Sequence, residues 1–137
     1  MKATRRGIIW AAILAMVCTV SACAGGGGST APITTVKTDD GKISFKGTVQ
    51  PILVDHCQRC HNESKMKGAL YLMTYDGVMK GGQRGPAVIP GDPDNSQLVG
   101  SVEKTKEPYM PPKVFPALTL DRIQAIRTWI SEGCLNN

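Results

Sequence analysis

Behind a basic start, Met1 to Arg6, the chain runs through thirteen mostly apolar residues, Ile8 to Val20. Periodicity then disappears: Gly25 to Gly28 and the polar stretch Ser29 to Asp40 offer no face to bury and read as a flexible tether. Apolar residues return at Val49, Ile52 and Leu53, where Pro51 starts or kinks a short helix. Met73 and Met79 flank a second short helical stretch. The clearest element comes last. Ile123, Ile126, Trp129 and Ile130 fall three and four residues apart and make one apolar face, which predicts a helix from Leu120 to about Glu132. Thr119 caps it and Gly133 stops it, so Trp129 is predicted in the core.

The first apolar run is an address. Thirteen helical residues rise only about 20 Å, short of the roughly 30 Å hydrocarbon core of a membrane, so residues 1–22 read as a signal peptide. Its end, Val20-Ser21-Ala22-Cys23, resembles the lipobox of bacterial lipoproteins. That resemblance implies cleavage before Cys23, loss of Cys18 with the leader, and acylation of the Cys23 thiol; the alternative is an ordinary secretory leader. Two or three acyl chains on one residue anchor stably where one would be reversible. Thr4-Arg5-Arg6 hints at twin-arginine export, a route that carries folded proteins, and is discounted. Residues 23–41 form the lipidated cysteine and linker, and residues 42–137 the folded domain. About 18 residues of linker give a typical reach near 25 Å. Ala24 after the cysteine favours the outer membrane in a Gram-negative cell.

Composition bears on the core. Of the 137 residues 42% are apolar but only 5% aromatic, and Gly (15) and Pro (9) are frequent. One small domain of this kind is marginal alone, and a large apolar prosthetic group would supply the missing buried surface. The net charge of +5 falls by three once Lys2, Arg5 and Arg6 leave with the leader. The other basic residues are scattered, which argues against a nucleic-acid partner.

The chemistry lies in Cys57-Gln58-Arg59-Cys60-His61, the attachment pentapeptide of c-type haem. Two cysteines three apart on one turn present both sulfurs to the two vinyl groups of one porphyrin edge. His61 follows at once and can bring Nε2 under the iron. A zinc site would need ligands at finger or ribbon spacing, and neither His56 nor Cys134 provides them. A redox dithiol would need a βαβ context that the pattern lacks. Candidates for the second axial ligand are Met66, Met73, Met79, Met110 and His56. His56 adjoins the attachment turn and cannot reach the opposite haem face. Met110 stands in Glu107-Pro108-Tyr109-Met110-Pro111-Pro112, where prolines hold an extended loop able to present a thioether. The other methionines are assigned to packing or surface.

With the pentapeptide, Met110-Pro111-Pro112 and the closing amphipathic helix in this order, Lys42 to Asn137 resembles a class I cytochrome c, and more closely the single-haem planctomycete-type domains. The resemblance includes Val49 to Leu53, Gly81 to Ala87, Pro90 to Ser96 and Trp129 to Gly133. It implies an all-α fold of three to five helices around one covalent haem c, with long Gly/Pro-rich loops. It implies that the first and last helices cross over the haem edge, bringing Val49, Leu53, Ile126 and Trp129 together. It also implies a carbonyl at Gly85-Pro86 accepting from Nδ1 of His61, with an ordinary turn at Pro86 as the alternative. Cys134 departs from the family's usual alanine. It reads as a small buried residue, an intermolecular disulfide being the alternative.

Axial ligation by His61 and Met110 leaves the iron no open position, so the expected function is outer-sphere electron transfer rather than catalysis. Expected partners are redox proteins, docking near Gln58 to Cys60 and Tyr109 to Pro112, and the membrane through the lipid; no small-molecule substrate is expected. The alternatives are a haem-bearing subunit or assembly module of a larger oxidoreductase, and a five-coordinate haem sensor or enzyme. For the last, the sequence supplies no third histidine as distal acid or base.

Overall fold

The computed structural model describes residues 33–137. The predicted leader, Cys23 and the first part of the predicted tether lie outside the described residues. Within them the fold is all-α: α1 (Gln50–Cys57), α2 (Tyr75–Lys80), α3 (Gln97–Val102) and α4 (Leu120–Ser131). A π-turn, Phe45–Val49, runs straight into α1, and a 3₁₀ turn, Lys67–Ala69, follows the attachment motif. Extended pairing among the described residues is limited to isolated bridges, Lys37 with Ile43 and Gly82 with Gly85. No described helix is long and apolar enough to cross a membrane.

The core forms where α4 packs on the π-turn and on α3. Trp129 is 0% exposed and lies 5.3 Å from the Phe45 ring, while Tyr75 stands edge-on to Phe45 at 5.4 Å. Such pairs add about 0.5–1.5 kcal/mol each to what burial contributes. Their polar tips are satisfied, Tyr75 Oη donating to the Cys134 carbonyl (2.9 Å) and Trp129 Nε1 to that of Leu135 (2.9 Å). The end of α4 follows from Gly133, whose φ of 97° suits glycine. Gly133 N–H donates to Ile130 and Cys134 N–H to Trp129, the paired bonds of a Schellman cap. Cys134 is thereby turned into the core at 1% exposure, and burial pushes its thiol up to about 11.

Val49, Leu53, Ile126 and Trp129 all belong to this buried cluster. They do not form the wall of the cavity described below, which is lined by Leu70, Leu72, Leu98, Val102 and Leu118 instead. These four residues therefore sit in the core rather than in the cavity wall, which α1 reaches only through His56 and Cys57.

The tether departs from expectation too. From Ile33 onward it lies against the domain as a strap. Val36 N–H donates to Thr48 Oγ1 (2.7 Å), which donates back to the Val36 carbonyl (2.9 Å), and Ile33 N–H donates to Asp121 Oδ2 (3.2 Å) at the start of α4. The chain end meets it: Asn137 accepts from the N–H groups of Phe45 and Lys46. The boundary drawn at Lys42 thus falls inside a folded segment, because an extended strand held by helix side chains needs no apolar period.

Two loop motifs position the site. At Gly82 a Cβ would come within 2.7 Å of the Gly68 carbonyl, so glycine there lets the loop after α2 close on the segment following the attachment turn. Gln83 N–H completes that contact by donating to Gly68 (2.8 Å). In Pro90 to Ser96, the fully buried Ser96 hydroxyl accepts from Ile89 N–H and donates to the Asp92 carbonyl, both at 2.8 Å. Gly91 N–H ties the same loop to Ile130 of α4, which fixes the start of α3.

Candidate cofactor site

α1 ends at Cys57, and the Cys57 carbonyl accepts from the N–H groups of both Cys60 (3.1 Å) and His61 (3.0 Å). This tight turn folds Cys57, Cys60 and His61 toward one cavity of about 310 Å³. Pockets for large organic ligands span roughly 300–1,000 Å³. Met110 enters the same cavity from the loop after α3. Its N–H donates to the Ser101 carbonyl (2.9 Å), and that loop is tied further back where Gln97 and Arg84 donate to the Glu107 carbonyl.

His61 is 8% exposed, and its Nδ1 lies 3.2 Å from the Leu70 carbonyl. With Nδ1 donating, Nε2 is left unprotonated and able to ligate a metal. Burial holds the imidazole below its ordinary range, keeping it in the neutral form that ligation needs. Cys57 is a poor thiolate: burial, with the Cys60 sulfur adding to it, pushes its thiol up to about 12. A dithiol exchange centre needs the opposite shift. Zinc fares no better, since no three His, Cys, Asp or Glu side chains among the described residues converge as a metal site requires.

The wall fits a haem. Apolar side chains line most of it, and its charged members are cationic, Arg59, Lys67 and Arg84, with no Asp or Glu among them. An apolar ring bearing carboxylates matches that distribution, and two thiols stand where thioether bonds would be made. Residues 57–113 match the family model for Planctomycete cytochrome C. That stretch is similar to a cytochrome c domain, a family that binds haem c covalently, and it contains Cys57 and Cys60. No curated protein and no solved structure matches the chain.

The structure brings Cys57, Cys60, His61 and Met110 together at one cavity. Pro86 also lines it, but the expected second-shell bond is made elsewhere: Nδ1 of His61 faces Leu70, not the Gly85-Pro86 stretch. The longer segment after His61 lets the chain double back, with Leu72 N–H donating to the His61 carbonyl, and this puts Leu70 beside the ring. Of the other ligand candidates, Met66 is exposed, while Met73 and Met79 pack against the core. His56 borders the cavity, yet its Nε2 accepts from Arg122 Nη1 of α4 (2.6 Å). Sequence reasoning missed Leu70, which acts through its carbonyl, and Phe115, which lines the cavity and lies against Arg59.

Proposed function

We propose that this protein is an exported, membrane-tethered electron carrier with a single c-type haem, held by Cys57 and Cys60 and ligated axially by His61 and Met110. The observation carrying this reading is that Met110, alone among the described methionines, shares the cavity of the two cysteines and His61. Cys57 and Cys60 would hold the group by adding their S–H bonds across its two vinyl groups. His61, whose Nδ1 faces the Leu70 carbonyl, would supply Nε2 to the iron, and Met110 would supply its sulfur. When bound, haem iron supplies a one-electron couple, which a Met/His pair sets higher than two histidines would. The apolar wall excludes water from the redox centre, and no position is left for a substrate. Redox proteins are the partners that such a centre serves, met at the surface around Gln58 to Cys60 and Tyr109 to Pro112. Lipid on Cys23 is supported by the lipobox likeness and gives the tether.

The test is the oxidised absorption spectrum of the holoprotein. Wild type is expected to show the weak red Met-to-ferric charge-transfer band and Met110→Ala to lose it. A wild type without the band that binds carbon monoxide rapidly when reduced would sink the carrier reading. For the tether, Cys23→Ala is expected to release the protein from membranes; unchanged retention removes the lipid.

A further inference from the structure

Two side chains that line the cavity meet one another, and ligation and attachment use neither. Arg59 belongs to the attachment turn and Phe115 to the loop five residues beyond Met110. The guanidinium carbon stands 5.4 Å from the ring centroid, in cation–π range. Their surroundings make this contact matter. Before Met110 the loop is tied to α3 through Ser101 and Gln97. After Met110, Pro111 is buried, residues 112–117 are all exposed, and Leu118 is buried again; Val114 is 83% exposed. Phe115, 36% exposed, lines the cavity from the middle of this stretch, and its N–H donates to the Pro112 carbonyl (2.9 Å).

We propose that Arg59 and Phe115 form a clasp that joins the histidine side of the cavity to the methionine side, holding the Met110 loop closed and keeping outside ligands from the iron. The inference rests on the reading of Met110 as axial ligand. Both members are positioning residues: Arg59 acts through Phe115, and Phe115 acts through the loop that carries Met110. The clasp's strength comes from a cation over an aromatic face, which any aromatic ring at position 115 would preserve. Opening it would admit small neutral nitrogen bases that compete with a thioether for ferric iron.

Imidazole is the probe, titrated into ferric holoprotein and followed by loss of the red charge-transfer band. Phe115→Ala and Arg59→Gln are each expected to tighten apparent imidazole binding by about two- to fivefold, the size of one partly exposed cation–π contact. The double variant is expected to go no further than Phe115→Ala, because the two changes remove one shared contact. Phe115→Trp is expected to restore wild-type affinity. A merely structural effect would lower thermal stability without this pairing. Unmoved affinity in both single variants, or effects that multiply in the double, overturns the clasp while leaving Met110 ligation intact. A wild type that lacks the red band overturns both.

Discussion

Behind the attachment turn, Phe45, Tyr75 and Trp129 meet ring to ring, and the strap, the π-turn and the C-terminal residues are bonded to one another. In front of it, residues 67–72 and 81–118 are mostly loop, with α3 only six residues long, arranged around a cavity. The back has what a small core requires: interdigitated apolar side chains, satisfied polar tips and a capped helix. The front is held mainly by backbone and side-chain bonds, and its apolar side chains line a cavity. A group filling that cavity would add dispersion contacts with its lining. The chain has divided its stability, making one side self-sufficient and leaving the other to be completed by a bound group.

Removing the attachment chemistry should break the two sides apart most. Cys57→Ser with Cys60→Ser is expected to raise amide exchange in residues 97–118 on the order of tenfold or more, while α4 keeps its protection. Equal loss on both sides would show that the back is not independent. Next in size, Trp129→Ala is expected to cost about 3–5 kcal/mol in denaturant titration of the holoprotein, because it empties the centre of the aromatic cluster. A loss below about 1 kcal/mol would mean that the back does not carry the fold.

The smallest effect tests the seam, where His56 of α1 meets Arg122 of α4. Burial first, and then the Arg122 charge, hold His56 below its ordinary range. The unfolded chain therefore binds the proton more readily than the folded one, so this contribution is intact above about pH 6.5 and is lost as pH falls below it. His56→Gln keeps an acceptor for Arg122 and is expected to flatten the fall in stability between pH 7 and pH 5. An unchanged slope would remove His56 from the seam.

What was legible in the sequence follows the same division. α4 was readable because its burial imposes a helical period, and Gly133 stops it through a positive φ that residues bearing a Cβ disfavour. The attachment motif was readable because its spacing is fixed by the geometry of one turn. The partner of His61 was not, since a carbonyl has no residue-type signature and any residue at position 70 would offer one. Nor was the strap, whose bonds join the backbone of 33–44 to side chains of Thr48 and Asp121 far along the chain. Phe115 was hidden for a related reason: a single aromatic in a proline-rich loop acquires meaning only when Arg59 is brought opposite.

The strap changes how far the domain could travel. With Ile33 bonded to Asp121, ten peptide steps separate it from Cys23, and no ten steps span more than about 35 Å. The point of departure is the start of α4, two residues beyond Leu118, which lines the cavity. An acylated Cys23 would keep the redox centre in a thin layer above the lipid, at an effective concentration in the millimolar range toward anything fixed in the same membrane. Its encounters would then be a search in two dimensions, governed by lateral diffusion rather than by collisions in bulk water.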